Sequence, residues 1–282
     1  MLFVVLLLLV PAFVAASFCP PDGTITVDTH AVGCANLRLT VAADNVTLVI
    51  EDATGSIDVT SNAAGTTLRL LGSNVAGNLT LGGPHAFADV VGSTVTGADV
   101  VVLSGARNAT IAVVDSTLTG SVVASVLSLA SAVGVSLTIA NSTLSATRYA
   151  ASVVGATILD AVIVVTDSRL TVAGADNVGV VALAAATVFN AAVNVTASSV
   201  SCKAGSFVGI LGAGSNRGVS WTNVTVSAAL ANVTSTAGDY AGVLGAGCGD
   251  NGVNWTNVTV SAALSNVTST ASGAVGVLGA GS

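Results

Sequence analysis

The chain has 282 residues, enough for one large domain or two ordinary ones at roughly 100–200 residues each. Only 7% of residues are charged and 4% aromatic, and seven Lys+Arg stand against fourteen Asp+Glu. The basic residues (Arg38, Arg69, Arg107, Arg148, Arg169, Lys203, Arg217) occur singly, so no basic stripe exists to neutralise phosphates or anionic headgroups, which excludes nucleic-acid binding and electrostatic docking on lipid. Abundant Val, Thr, Ser, Ala and Gly favour strands and tight turns, and the hydrophobicity is too high for a disordered chain.

Leu2 to Val10 form an unbroken apolar run, followed by Pro11 and the small residues of AFVAAS. That is the apolar region and cleavage zone of a secretory signal peptide, with cleavage expected after Ala16 or Ser17. Residues 1–17 are therefore set apart from the fold. Residues 18–44 read as an N-terminal cap, in which Cys19 and Cys34 bracket a Pro/Gly/Asp-containing segment and are placed to close a small disulfide loop. Cys202 and Cys248 form a second candidate pair, which spacing alone does not fix. No Cys-x-x-Cys is present, and His30 and His85 have no ligand spacing, so neither metal nor cofactor is expected. Glu51-Asp52 follows the apolar strand VTLVI and marks the polar end of a coil.

From residue 45 to 282 the sequence repeats. WTNVTVSAALANVTSTAGDYAGVLGAG begins at Trp221 and nearly recurs at Trp255. Upstream, a strand-like motif ends at Val75, Val95, Leu118, Leu144, Leu170 and Val200, and reads on to Leu230 and Leu264. A second motif follows in step at Val153, Val180, Ile210, Val243 and Val277. Two strand motifs recurring together, with spacings growing from 20 to 34 residues, predict an all-β fold, a right-handed parallel β-helix (β-solenoid) with coils of about 20–34 residues. Alternation sends Val, Ile and Leu inward and Thr, Ser and Asn outward. A β-sandwich array is the competing fold, and the charge-free stretch Ser116 to Thr147 invites a membrane-span reading that its Ser and Thr content opposes. The pattern stops at LGAGS without a closing polar segment, so the chain is expected to be a truncated solenoid.

Ten Asn-x-Thr triplets, at Asn45, Asn78, Asn108, Asn141, Asn194, Asn223, Asn232, Asn254, Asn257 and Asn266, are candidate N-glycosylation sites and agree with export. Asn254 and Asn257 are too close for both to carry glycan. Chemistry is sparse. Asp115, Asn141 and Asp167 share one motif position with Gly72, Gly92, Ala197, Ser227 and Ser261, a column of small or turn-forming residues rather than a catalytic set. The Gly-Ala-Gly pieces at Gly212 and Gly245 lack a following Lys-Ser/Thr and read as corners, not phosphate loops. Trp221 and Trp255 occupy matching positions and read as corner packing, with an exposed sugar-binding stack as the alternative. Thr-x-Thr pairs at Thr24, Thr94 and Thr117 raise binding to ice or mineral, which lengthening coils are expected to spoil.

The strings LTIANSTLSA, AVNVTASSVS and WTNVTVSAALANVTST resemble the β-helix surface glycoproteins of kinetoplastid protists, including the dispersed gene family proteins. The resemblance runs from about residue 45 to the end and is one of texture and repeat style. It implies a low-charge, membrane-associated adhesion protein. This chain departs from the pattern in being short and in lacking a C-terminal membrane span, so membrane association would need a missing C-terminal segment. The expectation is an extracellular or cell-surface structural or adhesive glycoprotein, with no catalytic residues and a surface protein or glycan as partner. A carbohydrate-active β-helix enzyme, a polysaccharide hydrolase or lyase, is the alternative.

Overall fold

The computed structural model describes residues 19–104, 107–128, 131–174, 178–204, 207–213, 219–229, 231–236, 240–246, 253–270 and 275–278. The signal-peptide segment and Cys248 lie outside the described residues. Thirty strands are present among the described residues, and they pair in parallel throughout, in two long sheets. The chain is a parallel β-helix. Its described residues contain no helix long and apolar enough to cross a membrane.

Each coil visits three faces. Face 1 is built from Thr47–Glu51, Thr67–Leu71, Phe87–Val91, Thr110–Val114, Ser136–Ala140 and Val162–Thr166, and continues through the ends of Thr187–Thr196 and Val219–Ala229 to Thr259–Ala263. Face 2 is built from Asn74–Ala76, Thr94–Thr96, the starts of Thr117–Leu127 and Thr143–Val154, then Arg169–Gly174, Ser199–Ala204, Asn232–Thr236 and Asn266–Thr270. Face 3 runs from the end of Ala35–Val41 through Leu79–Gly82 and Asp99–Ser104 to Val178–Ala184, Phe207–Ala213, Tyr240–Ala246 and Val275–Leu278. A fourth strip, starting at Ser131–Val133 and Thr157–Leu159, joins face 3 to face 1 in the longer coils. Residues 19–44 contribute strands of their own: Thr29–Val32 pairs with Thr47–Glu51, and Ala35–Val41 pairs with Thr54–Ser61.

Alternation fills the interior. Leu48, Leu68, Ala88, Ile111, Leu137, Ile163, Val193 and Val226 are in register on face 1 and fully buried. Val75, Val95, Leu118, Leu144, Leu170, Val200 and Val233 form the matching column on face 2. Neither column can be shielded from water by one coil, so each added coil buries the one before it. In the middle coils face 3 departs from alternation. Val100 to Leu103 are all buried, as are Val123 and Ser125 beside Ala124, and Ser125 shares a 2.8 Å hydrogen bond with Ser152.

The corners explain why coils can lengthen while strands stay in register. Face 1 ends at Asp52, Gly72, Gly92, Asp115, Asn141, Asp167, Ala197 or Leu264, each with positive φ. Glycine, Asn and Asp populate this left-handed region at low cost. The following residue is usually a buried serine. Ser116 Oγ accepts the backbone N–H of Ser93 from the previous coil at 3.1 Å and donates to Val114 O at 2.7 Å. The same pattern links Ser73, Ser93, Ser142, Ser168 and Ser198. It satisfies N–H groups that the break in the strand ladder would otherwise leave buried and unpaired. The offsets between linked coils are 20, 23, 26, 26 and 30 residues along this column, then 33 and 34.

Two readings of the repeat are corrected by this register. Val200 pairs with Val233, and Val233 with Val267, so the face 2 motif ends at Val233 and Val267 rather than at Leu264 or at Leu230, which lies outside the described residues. Leu264 instead occupies the left-handed corner (φ 51°) with its side chain 88% exposed. Ser227 and Ser261 accordingly leave the Asp115–Asp167 column and lie on face 1, in register with Asn194. Gly212 and Gly245 are paired strand residues on face 3, not corners.

Candidate functional site

A groove of about 320 Å³ lies on the outside of the narrow N-terminal coils. It crosses the coils along the solenoid axis. Thr40, Thr60 and Thr80, one per coil, form its floor, and Thr40 and Thr60 share a hydrogen bond at 3.2 Å. Arg38, Asp58, Asn78 and Asp99 form one wall.

That wall has a structural origin. Where face 2 turns into face 3 the main-chain ladder is interrupted, and side chains replace it. Asp22 Oδ1 accepts the N–H of Arg38 at 2.8 Å, Asp58 Oδ1 accepts that of Asn78 at 3.0 Å, and Asn78 Oδ1 accepts that of Asp99 at 2.9 Å. The backbone is tight here: a Cβ on Gly77 would overlap the carbonyl of Ile57. Asp58 therefore spends one carboxylate oxygen on the fold while its half-buried side chain lines the groove. Asp58 and Asp99 are two coils apart, about 10 Å by the spacing of paired strands. That is just beyond the roughly 6.5–9.5 Å separation that lets two carboxylates flank a water and a glycosidic bond. The arrangement of one guanidinium, two carboxylates, an amide and a row of hydroxyls suits weak hydrogen bonding to a hydroxyl-rich ligand.

The sequence pointed elsewhere. Asp115, Asn141 and Asp167 are stacked left-handed corner residues, and Asn141 Nδ2 donates to Asp115 Oδ1 at 2.6 Å, so the amide holds the carboxylate in the corner. His85 is also a left-handed corner, while His30 lies 3.0 Å from Glu51 in an exposed pair. Trp221 is fully buried and in register with Val188, a packing role rather than an exposed stack. Cys19 and Cys34 are joined by a disulfide that closes the first coil. Cys202 is buried among the core residues, and burial pushes its thiol up to about 12. Among the described residues no three His, Cys, Asp or Glu side chains gather into a metal-binding set. The groove wall was missed although its signal was present, since Arg38, Asp58 and Asn78 recur at the 20-residue offset of the early coils.

The ten Asn-x-Thr triplets fall into recognisable places. Asn45, Asn108, Asn141, Asn223 and Asn257 are left-handed corners, followed by an inward small or aliphatic residue and an outward Thr. Corner, inward, outward is the local rule of this fold, so half of the triplets also satisfy a backbone requirement. Asn223 and Asn257 additionally extend an amide ladder from Asp160 through Asn190, with N···O distances of 3.1–3.2 Å. Asn232 and Asn266 face outward on face 2, Asn254 is exposed, Asn78 is in the groove wall, and Asn194 Oδ1 accepts the Ser227 hydroxyl at 2.6 Å on face 1.

The outward ranks of face 2 correct one further expectation. Thr94, Thr117 and Thr143 are in register, as are Thr96, Thr119, Ser145, Thr171 and Ser201, because the extra residues of longer coils enter between strands rather than within them. Coil lengthening therefore leaves the register intact, although Arg169 ends the run of hydroxyls after Thr143. No family model, curated protein or solved structure matches the chain.

Proposed function

We propose that the chain is an exported, elongated β-solenoid glycoprotein with a structural or adhesive role outside the cell or at its surface, and that it is not an enzyme. The observation that carries this reading is the chemistry of the outer surface. Ranks of Thr, Ser and Asn run from coil to coil on face 2, while the groove carboxylate of Asp58 accepts a backbone N–H and the corner carboxylate of Asp115 accepts the Asn141 amide. The Cys19–Cys34 disulfide supports an oxidising compartment. The resemblance to kinetoplastid surface glycoproteins supports the same role, with a surface protein or glycan as partner.

Expression in a eukaryotic secretory host tests it. The reading expects protein in the medium, a mature N-terminus following Ala16 or Ser17, a mass drop on endoglycosidase treatment and no turnover of polysaccharides. Unglycosylated protein retained inside the cell would overturn it. The groove favours one second reading, a polysaccharide-acting β-helix. Turnover that disappears in Asp58→Asn and Asp99→Asn would establish that reading instead.

A further inference from the structure

One of the ten Asn-x-Thr triplets spans the groove of the narrow coils. Asn78 stands in the wall and Thr80 in the floor, while Leu79 between them is fully buried in the core. Alternation puts residues 78 and 80 on the same outward surface.

The fold already orients the Asn78 amide. Its backbone N–H donates to Asp58 Oδ1 at 3.0 Å, and its Oδ1 accepts the Asp99 N–H at 2.9 Å. The oxygen is committed, and Nδ2 is left over on a residue that lines the groove. An N-linked sugar replaces one hydrogen of Nδ2 and leaves Oδ1 an acceptor, so glycosylation here breaks neither bond. The corner triplets are the reverse. Asn141 Nδ2 donates to Asp115 at 2.6 Å, and the Nδ2 atoms of Asn223 and Asn257 donate along their amide ladder at 3.1 and 3.2 Å. There the nitrogen serves the stack.

The groove suits a sugar better than other occupants. Leu39 is buried in the core and every other lining residue is polar, so neither an acyl chain nor an apolar peptide side chain finds an anchor. The floor strands are paired on both sides and leave no edge for an added strand. What remains is a row of hydroxyls, Thr24, Thr40, Thr60 and Thr80 in register, beside Arg38, Asp58 and Asp99. Together these give the donors and acceptors that sugar hydroxyls need. The row stops at Val102, which is in register with Thr80 and 5% exposed. A volume of about 320 Å³ is at the small end of ligand sites, roughly 300–1,000 Å³, and fits a short glycan segment.

Resting on the reading of the chain as an exported glycoprotein, we propose that Asn78 carries an N-linked glycan whose first sugars fold back into this groove, over the threonine floor. The groove is then filled by the chain's own carbohydrate and closed to a polysaccharide from outside.

The test is glycopeptide mass spectrometry of the full chain secreted by a glycosylating host, before and after the folded protein is treated with peptide N-glycosidase. The expected result is glycan at Asn78 that is released about tenfold more slowly than glycan at Asn232 or Asn266, exposed on face 2, a ratio equivalent to about 1.4 kcal/mol. Arg38→Ala and Thr60→Val, both at exposed positions, raise that release to the face 2 rate while occupancy and circular dichroism stay unchanged. Asn78 found bare while other triplets carry glycan overturns the proposal and leaves the export reading standing. Glycan at Asn78 released as fast as on face 2, or protection indifferent to both variants, overturns the seat in the groove. Protein retained inside the cell with no glycan at any triplet overturns both.

Discussion

Replacing Ser116 by Ala probes the device that lets coils of unequal length stack. The hydroxyl is 4% exposed and does two jobs: it accepts Ser93 N–H at 3.1 Å and donates to Val114 O at 2.7 Å. Alanine fits the space but strands a buried N–H, which costs about 1–3 kcal/mol, and removes a bond with a net value of about 1 kcal/mol. Together these set an expected loss of about 2–3 kcal/mol, since water entering the corner recovers part of the sum. Urea unfolding followed by circular dichroism reads the loss as a lower midpoint. Thr117→Ala is the control, because Thr117 is the adjacent, outward-facing residue and its loss should stay within about 0.5 kcal/mol. If the two variants shift the midpoint equally, the serine column is incidental and the corner account is wrong. The natural alanine at position 231 offers the reverse experiment: Ala231→Ser should stabilise the chain by about 1 kcal/mol by placing a hydroxyl at the position Ser198 holds one coil earlier, within reach of the Ser198 N–H.

Three other perturbations follow from single residues. Leu264→Asn relieves a left-handed leucine whose exposed side chain packs on little, so a gain of about 1 kcal/mol is expected in the same urea assay, and a loss would contradict the corner assignment. Reducing the Cys19–Cys34 disulfide, or replacing Cys34 by Ser, frees a 15-residue loop and should cost about 3 kcal/mol; an unchanged midpoint would show that the first coil holds without it. The Cys202 thiol, held near 12 by burial against 9.0 when unfolded, should resist Ellman's reagent at pH 8 until the chain unfolds. Its folded pKa is raised, so its contribution is intact below pH 9.0 and is lost as pH climbs toward 12, by up to about 1.4 kcal/mol per unit. A Cys202→Ala variant should lack that alkaline slope, and equal slopes in both proteins would refute the burial argument.

The strand periodicity was legible because inward positions demand aliphatic residues at every coil. Val75, Val95, Leu118, Leu144, Leu170 and Val200 were found from sequence and are in register in the fold. The reading slipped at Leu230 and Leu264 because it matched apolar endings. The corner carries a sharper signal, a Gly, Asp, Asn or Ala followed by Ser, as in Gly92-Ser93, Asp115-Ser116 and Asn141-Ser142. In the last coil that signature changes to Leu264-Ser265, and a leucine with positive φ is the residue that local propensity predicts least. The groove was overlooked for a different reason. Arg38, Asp58 and Asn78 recur every 20 residues, but they lie outside the two apolar motifs that mark the coils, and only the stacking of coils brings them together with Asp99.

In-register stacking is tested most directly by spin-label distances along one outward column. Ala76, Ser145 and Thr234 belong to the same rank of face 2, reached through Thr96, Thr119, Thr171 and Ser201. Labels at Ala76 and Ser145 are three coils apart and should lie about 14 Å from each other, and labels at Ala76 and Thr234 are six coils apart and should lie about 29 Å apart, at ~4.8 Å per coil. Distances that grow with coil count in this way match the parallel β-helix with expanding coils. Distances that fail to double between the two pairs, or that spread broadly, would contradict it.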